Sequence, residues 1–113
     1  MGRLKVRRLQ ASAAEAECLM KAMASRPRLM ILCELLVGER TVTELQGAVG
    51  LAMSAVSQHL AKLREAEIVA TRRESQTIYY SLASEPARRL LSSLYEIYCS
   101  PASAASRQQR RKL

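Results

Sequence analysis

From Ser54 onward the apolar residues Val56, Leu60 and Leu63 recur at i, i+4 and i+7, which puts them on one buried helical face. Ser54, Ser57, Gln58, Ala61 and Glu65 then point the other way. Just upstream, residues 43–49 carry a shorter apolar pattern in Leu45, Ala48 and Val49, and Gly50 followed by Leu51 makes a tight break between the two segments. Two short helices joined by a small Gly-containing turn, the second offering short hydrogen-bonding side chains at its start, describe a helix-turn-helix reader of the DNA major groove. An ordinary helical hairpin would share the pattern, but the segment after the second helix favours the DNA reading.

Residues 68–73 and 77–82 are two strand-like runs with Glu74, Ser75 and Gln76 as the turn between them. Arg72 and Arg73 enter that turn and Tyr79 and Tyr80 leave it. A basic-tipped hairpin directly behind a recognition helix is a wing, whose arginines can reach phosphates or the minor groove, or a hairpin that only covers the core.

Upstream, Ser12 and Glu15 have capping-box spacing and predict a helix through Cys18, Leu19 and Met23 to about Ala24. Ser25 and Pro27 then open a second helix over residues 28–37, closed by Gly38. Its Leu29, Ile31, Leu32, Leu35 and Leu36 leave little polar face, so it reads as the central core helix, with Cys33 on it. Ser84, Glu85 and Pro86 start a last helix that runs to Cys99 and is stopped by Pro101. On it Leu90, Leu94 and Ile97 form an i, i+4, i+7 stripe, suited either to the core or, with the first helix, to a dimer face.

The expected fold is therefore mainly α with a two-stranded β wing: a winged helix-turn-helix of five helices, paired as a homodimer through its first and last helices. Residues 1–11, without a cap or clear stripe, read as a mobile basic arm, 12–100 as the domain, and 101–113 as a basic disordered tail.

Composition narrows the class. The 113 residues contain no Trp and no Phe, so the core must come from Leu, Ile, Val, Met and Ala, which suits helix-on-helix packing. The formal charge of +8 resides in the tails. Arg3, Lys5, Arg7 and Arg8 lie at one end and Arg107, Arg110, Arg111 and Lys112 at the other, whereas the remaining basic residues are balanced by Glu. Such tails can add salt-sensitive phosphate contacts or simply be solvated ends. No long apolar run or secretory pattern is visible, so the expectation is a cytoplasmic chain with no membrane partner. In that compartment Cys18, Cys33 and Cys99 read as free thiols, redox sensors or metal ligands rather than a disulfide framework. No catalytic constellation and no cofactor motif appears; a thiol-disulfide enzyme would want a Cys-x-x-Cys pair, which is absent. A constitutive architectural DNA binder would rest on the basic tails alone.

The order of these elements, together with RPRLMILCELL, TVTEL, SAVSQHLAKLREAEIV and IYYSL, resembles the ArsR family of dimeric bacterial repressors over roughly residues 15–99. The resemblance implies a homodimer that places recognition helices in successive major grooves of an inverted-repeat operator and lets go when an inducer is sensed. Residue by residue, it puts Ser54, Ser57, Gln58, His59 and Lys62 on the groove-reading helix, and Arg72, Arg73 and Gln76 on the wing. His59, the only histidine, sits at the edge of the buried face and could contact phosphate or hydrogen-bond within the turn. Three departures from the family stand out. Ala52 replaces a capping Ser, so Ser54 is expected to take over as cap. Glu67 and Ser75 replace glycines, which should tighten or reshape the turns.

The family's usual metal sites are missing: Thr41 and Thr43 occupy its third-helix cysteine box, and the last helix has no His or Asp. There remain Cys33 and Cys99, an arrangement similar to the sulfide- and persulfide-responsive repressors of the SqrR and BigR type. In those relatives two thiols become linked through sulfur, and the same chemistry is open to any two thiols within reach. The alternatives are two small buried hydrophobes, or a thiolate sensor of arsenite or a similar thiophilic ion that adds Cys18.

Overall fold

The computed structural model describes residues 3–99. The elements run α1 (Arg3–Ala11), α2 (Ala13–Met23), α3 (Arg26–Val37), β1 (Arg40–Thr41), α4 (Val42–Val49), α5 (Met53–Glu65), β2 (Val69–Glu74), β3 (Thr77–Leu82) and α6 (Glu85–Cys99). The architecture is a mainly helical winged helix-turn-helix, with six helices and three strands instead of the five and two expected.

Both additions have a physical basis. Arg3–Ala11, read from the sequence as an arm, is helical; Leu, Lys, Arg, Gln and Ala are good helix formers even where no apolar stripe marks the helix. It runs into α2 almost without a break. The Ser12 N–H is bonded to Arg8 O at 3.1 Å and Ser12 O accepts from the Ala16 N–H at 2.9 Å, so Ser12 is a joint and its side chain caps nothing. The third strand, β1, is only two residues long and pairs antiparallel with β3, giving the order β1-β3-β2. Two residues carry no readable period, and only the partner strand defines them. The expected tail at residues 101–113 lies outside the described residues.

Thr41 ends β1 and begins α4 at once, so the helix starts at Val42, one position ahead of the expected Thr43. The Thr41 Oγ1 accepts from the Glu44 N–H at 3.2 Å, while its own N–H donates to Glu44 Oε1 at 2.9 Å, a complete capping box. Those hydrogen bonds hold the Glu44 carboxyl below its usual range. The helix stops at Gly50, in the left-handed region at φ 70°, whose N–H returns to Gln46 O at 2.9 Å. Helix α5 has no side-chain cap: Ala52 cannot supply one, and Ser54 lies inside the helix, so it does not replace it.

The core gathers Ile31, Leu32 and Leu35 of α3, Leu45 and Val49 of α4, Val56, Leu60 and Leu63 of α5, Ile68 and Val69 at the wing base, and Ala87 and Leu91 of α6. Met23 of α2 joins them. The apolar triplet Val56, Leu60 and Leu63 is fully buried, as its spacing requires. On α6 the buried residues are Ala87 and Leu91, so Leu90 and Ile97 of the predicted stripe remain outside, with Ile97 56% exposed.

Candidate functional site

The α5 residues expected to read the groove form one accessible face. Ser54, Ser57, Gln58 and Lys62 are all exposed along α5 and have no hydrogen-bond or ion-pair partner among the described residues. His59 is half-buried beside the Val56–Leu60 face and likewise makes no hydrogen bond within the described chain. Because α5 is held from behind by three fully buried side chains, this face is pre-oriented at little further entropy cost.

The wing lies next to it. Strands β2 and β3 pair from Val69 with Leu82 to Glu74 with Thr77, which leaves Ser75 and Gln76 as a two-residue loop. Ser75 has φ 59° and Glu67, behind α5, φ 60°. The two residues that stand where glycines are common in the family therefore adopt the backbone that glycine would take, keeping the turns and accepting the strain of a Cβ in the left-handed region. Between α5 and the wing opens a cleft of about 460 Å³, lined by Ser57, Ala61, Arg64, Glu65 and Tyr80. Arg64 and Tyr80 are not among the residues the sequence singles out. Arg64 falls on the same helical face as Ser57 and Ala61, a signal the period did contain; Tyr80 arrives only through the β3 register.

The two wing arginines differ. Arg73 and Gln76 are exposed and unpaired among the described residues. The Arg72 guanidinium is held by three neighbours. Its Nε donates to both Glu39 oxygens at 2.8 and 3.0 Å, its Nη1 donates to Glu74 Oε2 at 2.9 Å, and it lies 4.5 Å from the centroid of the Tyr79 ring. These carboxylates raise the Arg72 pKa further, and Arg72 holds the Glu39 carboxyl below its usual range.

The cysteines lie elsewhere. Cys33, placed by its sequence context on the core helix, is solvent-exposed. Helix α3 buries Ile31, Leu32 and Leu35, and Arg26, Met30, Cys33 and Val37 follow one another along the opposite, open side. Cys99 is exposed at the end of α6, and α6 packs on α3. The Cys33 thiol is pushed up by partial burial first, then by the negative charge of Cys99 and by Glu34, so the two sulfur sites lie within electrostatic reach of each other. Cys18 is exposed on α2. Among the described residues no group of three or more Cys, His, Asp or Glu side chains is arranged to hold a metal ion.

Helices α2, α3 and α6 enclose an open groove of about 350 Å³ lined by Met20, Met23, Ala24, Leu29, Leu90, Ser93, Leu94 and Ile97. Its walls are almost wholly apolar. Among the described residues no helix is long and apolar enough to cross a membrane.

Comparison with known proteins agrees with this geometry. Residues 25–71 match the model of the bacterial regulatory protein, arsR family. The chain is 42% identical over 96 residues to the transcriptional activator HlyU of Vibrio cholerae, a match that covers 85% of this chain and 89% of that one. Among solved structures, the transcriptional repressor BigR from Xylella fastidiosa superposes with a TM-score of 0.80 at 37% identity, over 88% of this chain and 99% of the other. A homodimeric winged helix-turn-helix DNA-binding domain from Mycobacterium bovis matches with a TM-score of 0.69 at 32% identity, covering 80% and 83%.

Proposed function

The chain belongs to the arsR family of bacterial regulatory proteins, and we propose that within it this protein is a homodimeric repressor released from DNA when Cys33 and Cys99 are joined through sulfur. The observation that supports this reading is that both thiols are solvent-exposed on two helices packed against each other, α3 and α6, with the Cys99 charge acting on the Cys33 thiol. Neither cysteine is a small buried hydrophobe in this chain.

DNA binding rests on the α5 face and the adjacent wing. Ser54, Ser57, Gln58 and His59 read base edges or adjacent phosphates, while Lys62, Arg73 and Gln76 contact the backbone. The homodimeric DNA-binding domain from M. bovis supports a dimer, and a two-fold dimer reads an inverted repeat. The apolar groove between α2 and α6 is the surface through which two copies pair. The recognition helices then meet half-sites about 34–36 Å apart, one turn of DNA. Such a regulator works in the cytoplasm and needs no cofactor.

The switch is thiol chemistry. A protein thiolate attacks the sulfane sulfur of a persulfide RSSH, expels RS⁻, and becomes Cys–S–SH. The second thiolate then attacks the inner sulfur, expelling HS⁻ and closing Cys33–S–S–Cys99; two protein thiols and RSSH yield the disulfide, RSH and H₂S. If both thiols are persulfidated first, attack of one on the other yields a trisulfide and H₂S. Either bridge ties the last turn of α6, close to Ile97 in the pairing groove, to α3, and so changes how two copies sit on DNA. Cys18 has no place in this step, and the metalloid reading would need it brought to the other two.

The test uses an operator selected by the protein from a random-sequence duplex library. Glutathione persulfide should release wild type, with a sulfur-bridged Cys33–Cys99 peptide visible by mass spectrometry. Cys33→Ser and Cys99→Ser should bind that operator about as well as wild type and resist release. Release of both variants at the wild-type dose would overturn the reading, and release by arsenite that depends on Cys18 would favour the metalloid alternative.

A further inference from the structure

Arg72 presents an oddity on a surface read as DNA-facing. It is a basic wing residue, yet its guanidinium already makes three charge-assisted hydrogen bonds to two carboxylates and covers an aromatic ring. The geometry comes from the sheet. Arg72 pairs across β2–β3 with Tyr79, and Tyr79 pairs on its other side with Thr41 of β1. By lying over the Tyr79 ring, the Arg72 side chain spans the central strand and grips Glu39, which immediately precedes β1. Glu39 itself sits in the short connection from α3, where its backbone oxygen accepts from Arg40 Nη1 at 2.8 Å.

We propose that Glu39 is a positioning residue for the wing: it holds Arg72 across Tyr79 and away from phosphate, so that the wing meets DNA through Arg73 and Gln76. The inference rests on the reading of α5 and the wing as the DNA-binding surface. Its electrostatic content is simple. Glu39 and Glu74 both pair with Arg72, so of the two wing arginines only Arg73 is left unpaired to attract phosphate. Its mechanical content is a brace. The hairpin, otherwise attached through strand pairing and its apolar base, is also tied at mid-length to the α3–β1 connection, which fixes the angle at which its tip approaches the duplex. Glu39 is thus a determinant of DNA affinity that touches no DNA.

The experiment measures binding to a fluorescein-labelled mixed-sequence 30-base-pair duplex as a function of salt, since the counterion-release slope counts neutralised phosphates regardless of sequence. Glu39→Ala removes both Nε hydrogen bonds and leaves Arg72 tied only to Glu74 and Tyr79 of the wing itself, so its guanidinium can turn to the duplex, and the slope of log K against log salt should steepen by about 0.9 for each wing that gains a phosphate contact. Arg72→Ala should keep the wild-type slope, because Arg72 meets no phosphate in the wild type. Glu39→Ala combined with Arg72→Ala should lose the steepening. Three results would overturn the proposal: an unchanged slope in Glu39→Ala, a flatter slope in Arg72→Ala, or steepening that persists in the double variant and so comes only from removal of a repelling carboxylate. If wild type shows no salt-dependent binding, the DNA-binding reading itself fails. The brace is then judged by NMR, where the Arg72 Nε–H should be a protected resonance in wild type and lose protection in Glu39→Ala; equal protection in both would reject it.

Discussion

The reading half of this molecule is finished within one chain, and the thiol half is not. Around α4, α5 and the wing, the apolar faces and most of the turns are completed internally: a capping box at Thr41, a left-handed stop at Gly50, fully buried Val56, Leu60 and Leu63, and a braced hairpin, with only the uncapped start of α5 left open. Around α2 and α6 an apolar groove stands open, Met20, Tyr95, Ile97 and Tyr98 are exposed, and two thiols face solvent. The difference teaches where control can act. A surface that is rigid by itself can be switched only by moving it as a body, and in the proposed dimer the unfinished half would set where that body sits relative to a second copy.

The largest test of this contrast is Ile97→Glu. A charge placed in the open groove should abolish pairing, measured by sedimentation, and lower operator affinity by about 10²-fold through loss of the second half-site. The monomer should still unfold cooperatively, because Ile97 is no part of the core. Loss of the fold with the dimer would break the comparison.

A smaller effect sharpens the thiol side. Burial first, and then the charge of an ionised Cys99, keep the Cys33 thiol up, so Cys99→Ser should lower the Cys33 pKa and speed its alkylation by iodoacetamide in alkaline solution, where thiols ionise. Peptide mass spectrometry tracks Cys33 separately from Cys18. An unchanged rate would mean that the two thiols do not sense each other.

The smallest belongs to the reading half. Ser75 holds φ 59° as the first residue of the hairpin loop, where glycine is unstrained. Ser75→Gly should stabilise the chain by about 0.5–1 kcal/mol, the left-handed penalty less the extra entropy of glycine. A urea midpoint that falls instead would mean that the serine side chain supports the turn.

Periodic features are legible in this sequence and non-periodic ones are not. The helix-turn-helix can be placed to within a residue or two because apolar spacing and Gly50 record local geometry. Helix α1 escapes the reading because it has propensity without a stripe, and β1 because a two-residue strand exists only through its partner β3. Ser12 has the look of a cap because capping-box spacing says nothing about whether another helix already ends there. The expectation that Ser54 would replace Ala52 as the cap fails for a related reason: the chain has already entered α5 at Met53.

The candidate residues divide in the same way. The exposed run of α5 is readable from its spacing. That Arg72 is bound by Glu39, 33 positions away, is not, since opposite charges so far apart find each other only once three strands are in register. Cys33 lies in so apolar a run that its surroundings in sequence point inward. Only the rotation of α3 against α4, α5 and α6 turns it outward.

By itself, then, the sequence determined that this chain is built to read DNA, because a local alternation of apolar and polar positions is sufficient to make two helices, a turn and a hairpin of the right kind. Tertiary structure decided which charged and thiol groups are free to act. Those choices depend on packing between segments far apart in the chain, Arg72 with Glu39 and the face of α3 that its neighbours leave open at Cys33, and long-range juxtaposition leaves no period in a sequence.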